Sequence, residues 1–141
     1  MGRVIAIDYG RKRSGVAVTD PLRICATGLP TVRSCDLIDF LRSYMEAETV
    51  DCIVVGLPLT MRGEPSESSR YIEPFIRQLH NAFPEMRIDR IDERFTSAIA
   101  HKEMALAGLK KKKREEKALA DKTAAVLILT DWLNSAANAA V

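Results

Sequence analysis

Residues 52–56, CIVVG, form an apolar run with no polar residue to interrupt it. A strand with one face in water alternates, whereas a strand without alternation is covered on both faces, as parallel strands in α/β sheets are. On its N-terminal side, apolar residues at 37, 38, 40, 41, 44 and 45 fall on one stripe of a helix predicted over Asp36–Glu48. On its C-terminal side, Ile72, Phe75, Ile76 and Leu79 mark a second helix from about Ser66 to Ala82, which Pro84 closes and in which Pro74 sets a bend or a later start. A buried strand between two amphipathic helices calls for a layered α/β fold.

Upstream, RVIAI (3–7) and GVAVT (15–19) are short β-branched runs joined by DYGRKRS, which reads as a hairpin. A third extended piece, ICATGLPTV (24–32), contains Gly28 and Pro30, so it belongs at a sheet edge or a bulge. Residues 86–92, MRIDRID, alternate apolar and polar, the pattern of a strand near an edge. Thr96 or Ser97 can cap a helix that runs to about Ala107 and stops at Gly108. A final helix starts between Arg114 and Ala118 and continues through ADKTAAVLILTDWLNSA. The order is βββαβαβαα, read as one α/β domain over 1–141: a mixed five-stranded sheet, three antiparallel strands then βαβα, with helices on both faces.

The 47% hydrophobic and 28% charged composition fits a globular protein with local rather than global charge bias. Net charge is +2, yet Lys110, Lys111, Lys112, Lys113 and Arg114 contribute five positive charges in one run, leaving the remainder at −3. Such a run is either a solvated loop or a contact for a polyanion. Cys25, Cys35 and Cys52 are odd in number and widely spaced, which argues against a disulfide framework and against a zinc site, and suits a reducing cytoplasm. With no 18-residue apolar span, a membrane segment is not expected.

Ligands of mixed α/β sheets gather beyond the carboxyl ends of the parallel strands. Those ends carry Asp8 after VIAI, Gly56 after CIVV, and Asp92 and Glu93 after the last strand. Alternation sends Asp92 and Glu93 to opposite faces, and the pattern leaves open which one shares a site with Asp8. Asp121 precedes Ala124, Ala125, Ile128 and Trp132 at spacings of one helical face, so it sits on a buried stripe where a lone charge is costly. Singly, each acid has an ordinary reading: Asp8 as a turn cap, Glu93 as a partner of Arg90 or Arg94, Asp121 as a favourable charge in a first helical turn. Together they make an oxygen-only set without a converging histidine, suited to Mg²⁺ or Mn²⁺ and to phosphate chemistry. His80 and His101, among polar neighbours, read as surface residues.

The segments IAIDYGRKRSGVAVTD, VVGLPLTMRGEPSE, DERFTSA and DKTAAVLIL, in this order and over nearly the whole chain, resemble the four signatures of the YqgF family, also called RuvX. The resemblance implies an RNase H-like fold akin to Holliday junction resolvases, with metal-dependent phosphodiester hydrolysis. It also implies maturation of the 5′ end of pre-16S rRNA in the bacterial cytoplasm. Matched residue by residue, the family's acids correspond to Asp8, Glu93 and Asp121, which selects Glu93 over Asp92. The segment before DK, KKKKREEKALADK, departs in detail, since Glu115 and Glu116 interrupt its positive charge.

On this reading Asp8, Glu93 and Asp121 are catalytic and hold the metal, which activates water for in-line attack on phosphorus. Arg11, Lys12, Arg13, Arg94, Thr96, Lys110, Lys111, Lys112, Lys113, Arg114 and Lys122 are the candidate phosphate contacts, with helix capping the alternative for Thr96. Aromatics at 6% leave little for base stacking, so shape or a ribosomal particle would guide recognition of RNA. Three rivals stand beside it. A Holliday junction resolvase would act as a homodimer rather than a monomer, and an RNA-binding ribosome-assembly factor would keep the shape without cleavage. The Asp-x-Gly hairpin of actin-like and sugar-kinase folds needs a second such domain, for which 141 residues leave no room.

Overall fold

A computed structural model describes residues 2–57, 69–92 and 124–134. The expected strands are there: β1 (Arg3–Asp8), β2 (Arg13–Thr19), β3 (Ala26–Arg33), β4 (Val50–Leu57) and β5 (Arg87–Asp92). They form one sheet in the order β3-β2-β1-β4-β5. β1 pairs antiparallel with β2 and β2 with β3, while β1–β4 and β4–β5 are parallel. The ends of β1, β4 and β5 therefore gather at one side of the sheet.

β3 satisfies both expectations for a strand containing Pro30, since it lies at an edge and carries one extra residue between its pairs Leu29–Val16 and Val32–Ser14. β5 takes the other edge, as its one-sided pattern required. β4 is longer than its apolar heart, because Val50 and Asp51 extend its ladder toward the N-terminal end.

Helix α1 (Leu37–Ala47) follows a short 3-10 turn over Ser34–Asp36, and α2 (Ser69–Ala82) precedes β5. α2 runs on through Pro74 from Ser69, so Pro74 does not set the start of the helix. Pro74 and Arg70 are both exposed, so water can serve the Arg70 carbonyl that the missing Pro74 N–H leaves. Residues 124–133 are helical, within the final helix expected. The start of that helix and the helix expected over residues 96–107 lie outside the described residues.

Strand alternation divides the core by face. On one face Ile5, Ile7, Val16, Val18, Ile53 and Val55 meet Leu37 and Leu41 of α1 and the α2 stripe Ile72, Phe75, Ile76 and Leu79. On the other, Val4, Ala6, Ala17, Cys52 and Val54 meet Ala124, Ala125, Ile128, Leu129 and Trp132. Helices thus cover both faces, and Cys52 is the core residue its apolar setting suggested; burial pushes its thiol up to about 12. Cys25 and Cys35 are free and exposed, as is His80. Among the described residues no helix is long and apolar enough to cross a membrane.

Candidate nuclease site at the carboxyl ends of the strands

Asp8 is the last residue of β1 and is 3% exposed. Four strand residues before it are fully buried, and its two neighbouring strands hold the backbone on both sides. By alternation its side chain belongs to the face of Val4 and Ala6, which is the face covered by the helical residues 124–133. Tyr9, next in the chain, packs on the opposite face, its ring stacked on Phe75 at 4.4 Å between centroids. Tyr9 and Asp8 thus belong to opposite faces of the sheet. Burial, and then the nearby Cys35, raise the Tyr9 phenol above its ordinary value.

Glycines flank the carboxylate. Gly15 is its direct partner on β2, and Gly56 stands one step beyond the Ile7–Val55 pair on β4. Neither carries a Cβ, so the row of the sheet through Asp8 has no side chain beside the acid until Ile91 on β5. In the sequence Gly56 reads only as the end of a strand, and Gly15 as the first residue of the GVAVT run. The signal was present, since each glycine closes or opens a β-branched run at the level of an acid.

On β5, Trp132 Nε1 donates to Asp89 Oδ2 at 3.0 Å, and Ile91 packs with the cluster beneath residues 124–133. The odd-numbered residues of β5 therefore share the face of Asp8, while Ile88 packs on the other. Asp89 also takes an Arg87 Nε–H at 2.9 Å.

Beyond Asp8 the chain turns through Gly10–Lys12. A Cβ at Gly10 would run into the Arg13 carbonyl oxygen, so only glycine fits there. Arg11 and Lys12 are exposed on this turn, and Arg13 is half-buried at the start of β2. The predicted residues Glu93, Arg94, Thr96, Lys110, Lys111, Lys112, Lys113, Arg114, Asp121 and Lys122 lie outside the described residues. Among the described residues no three His, Cys, Asp or Glu side chains gather as a metal site. A shallow cleft of about 530 Å³ between Val50, Asp51, Phe83, Pro84, Glu85 and Met86 lies at the far end, where β4 and β5 begin.

The sheet order, the helices on both faces and the acid ending the central strand define the RNase H-like architecture of resolvases. Two solved structures share it over nearly their full length. T. thermophilus RuvC, solved in complex with a Holliday junction substrate, matches with a TM-score of 0.57 at 18% identity, covering 95% of this chain and 96% of that one. The Fowlpox virus resolvase, in complex with Holliday junction DNA, matches with a TM-score of 0.51 at 10% identity, covering 94% and 97%.

The chain belongs to the RuvX family. The family model described as "RuvX: Holliday junction resolvase" matches residues 2–135. A Bacteroides fragilis protein named "Putative pre-16S rRNA nuclease" is 49% identical over 135 residues, covering 96% of this chain and 98% of the relative. A protein of the same name from Porphyromonas gingivalis is 52% identical over 135 residues, with the same coverage.

Proposed function

We propose that this chain is a metal-dependent endonuclease that processes the 5′ end of pre-16S rRNA in the cytoplasm. The observation that carries the reading is the shared face: Asp8, the odd residues of β5 and the buried stripe of residues 124–133 belong to one side of one sheet. In the sequence Glu93 shares the odd parity of Asp89 and Ile91, which supports grouping it with Asp8. Asp121 stands three, four, seven and eleven residues before Ala124, Ala125, Ile128 and Trp132 in the sequence, a helical spacing that supports adding it to the set.

Carboxylate oxygens are hard donors suited to a hard metal ion, and the strand positions beside Asp8, Gly15 and Gly56, carry no side chain to compete for it. Asp8, Glu93 and Asp121 would hold Mg²⁺ or Mn²⁺, which when bound supplies an activated water and offsets charge developing on the phosphate. The residues of the chain do the rest. Asp8 is held rigidly by the ladders on either side of it, and the Gly10 turn brings Arg11 and Lys12 to the same end of the sheet, where they neutralise flanking phosphates. Arg94, Thr96, Lys122 and the Lys110–Arg114 run extend that contact.

A second reading, Holliday junction resolution, is favoured by the family's description and by the junction complexes of both structural neighbours. Cleavage of a labelled pre-16S leader RNA and of a four-way DNA junction, with Mn²⁺ or Mg²⁺, separates the two. The account predicts RNA cleavage that falls roughly 10²-fold or more in Asp8→Asn, the scale lost with one group that stabilises transition-state charge. Cleavage of the junction alone would favour the resolvase. Equal RNA cleavage by both proteins would remove Asp8 from the site, and binding without cleavage would point to an assembly factor.

A further inference from the structure

Gly10, Ser14 and Ser34 close a ring of hydrogen bonds beneath the basic turn. The Gly10 N–H donates to Ser14 Oγ at 3.2 Å, and Ser34 Oγ donates to the Gly10 carbonyl at 2.5 Å. The two hydroxyl oxygens lie 2.8 Å apart. Because Ser34 has one hydroxyl proton and gives it to Gly10, Ser14 is the donor to Ser34. Each hydroxyl then donates once and accepts once in a single direction around the ring, an arrangement in which neighbouring bonds strengthen one another. The Ser34 N–H adds a bond to the Lys12 carbonyl at 3.0 Å.

The ring is buried, with Ser14 at 0% and Ser34 at 9% exposure. Polar groups in such a place are costly unless fully satisfied, so their presence calls for a role that apolar side chains would not fill. The β2–β3 ladder does not supply that role, since it runs through Arg13–Arg33, Ser14–Val32 and Val16–Leu29 by backbone pairing. The Ser34 bonds go instead to Gly10, Lys12 and Ser14, which bracket Arg11 and Lys12. The extra residue in β3 lies beside this point, and bulges commonly re-aim side chains near sites.

We propose that the Ser14–Ser34 ring is a positioning device for RNA: it clamps the turn so that Arg11 and Lys12 meet backbone phosphates at a fixed distance from Asp8. This rests on the reading that the turn contacts phosphate. Ser34 is a positioning residue, acting through the backbone of Gly10 and Lys12. Asp8, held separately by its own ladders to β2 and β4, keeps its place when the ring is opened.

The test measures binding of a fluorescein-labelled RNA hairpin by anisotropy at several salt concentrations, with the full chain as wild type, Ser34→Ala, Ser34→Thr and the triple variant R11Q/K12Q/R13Q. Thermal melting checks the fold of each. Ser34→Ala should weaken binding about five- to tenfold and lower the salt slope by about one, as loss of one phosphate contact does, while kcat at saturating RNA stays near wild type. Ser34→Thr, which keeps the hydroxyl, should bind as wild type does. The triple variant should lower the slope by about two to three. Unchanged affinity and slope in Ser34→Ala, beside a weakened triple variant, would overturn the ring's role and leave the phosphate contact standing. An unweakened triple variant would overturn the contact and the ring's role with it. Should Ser34→Ala fail to fold, amide exchange in the wild type decides: protected Gly10 and Ser34 N–H groups support the clamp, and exchange at the unstructured rate overturns it.

Discussion

The two faces of the sheet are built from different side chains. Beneath α1 and α2 the strands present Ile5, Ile7, Val16, Val18, Ile53 and Val55, and the helices answer with Leu37, Leu41, Ile72, Phe75, Ile76 and Leu79. Beneath residues 124–133 they present Val4, Ala6, Ala17, Cys52 and Val54, continued at the site end by Gly15 and Gly56, and the helix answers with Ala124, Ala125, Ile128, Leu129 and Trp132. The first face is filled with large branched groups, as a core that maximises buried apolar area should be. The second presents smaller strand residues, with Gly15 and Gly56 beside Asp8 on its two neighbouring strands, and it carries the polar pair Asp89 and Trp132. The strands of the first face carry the larger branched groups, and those of the second carry smaller groups and the buried carboxylate of Asp8.

Removing volume from the large-residue face gives the largest stability effect. Phe75→Ala should cost about 3–5 kcal/mol in urea unfolding, because Phe75 is fully packed and also holds Tyr9. At a temperature where the variant remains folded, its cleavage activity should persist. Adding volume to the small-residue face does the reverse. Ala6→Leu should cost about 1–3 kcal/mol through overpacking against residues 124–133, yet abolish most cleavage, since that face carries the site. Comparable activity loss per unit of lost stability in these two variants would break the distinction between the faces.

The smallest effect comes from the end of the sheet remote from Asp8. There the Gly2 N–H and then the Arg23 guanidinium, at 2.7 and 2.6 Å, hold the Asp51 carboxyl below its ordinary value. A depressed folded-state value means that this stabilisation is present at neutral pH and is lost as pH falls through the folded value, below the ordinary carboxylate range. Melting curves of wild type and Asp51→Asn should therefore differ near neutrality and converge in strong acid, with RNA cleavage at pH 7 the same in both. A gap that widens in acid would reverse the assignment.

Much of this architecture was legible because hydrophobic period is local. The unbroken CIVVG run announced a doubly covered strand, Pro30 and Gly28 announced an edge strand with a bulge, and the 3.6-residue stripe of 37–45 announced α1. What the sequence did not reveal depended on tertiary placement. Alternation set Asp92 and Glu93 on opposite faces, but only the contacts of Asp89 with Trp132 and of Ile91 with the second cluster relate the β5 faces to Asp8. Ser14 and Ser34 are twenty residues apart in the chain, and serine carries no periodic signal, so their ring emerges only when β3 returns beside β2. Pro74 is no mark of a helix start, because packing of Ile72, Phe75, Ile76 and Leu79 on the sheet holds α2 together on both sides of it.

The central claim is that Asp8, Glu93 and Asp121 form one metal site on the small-residue face. Anomalous scattering from a crystal of the full chain soaked in Mn²⁺ tests it directly. The account predicts a peak on the face covered by residues 124–133, about 2 Å from a carboxylate oxygen of Asp8, with the carboxylates of Glu93 and Asp121 turned toward the same ion. A manganese ion bound elsewhere, or Glu93 on the face of Phe75 and Tyr9, would contradict it.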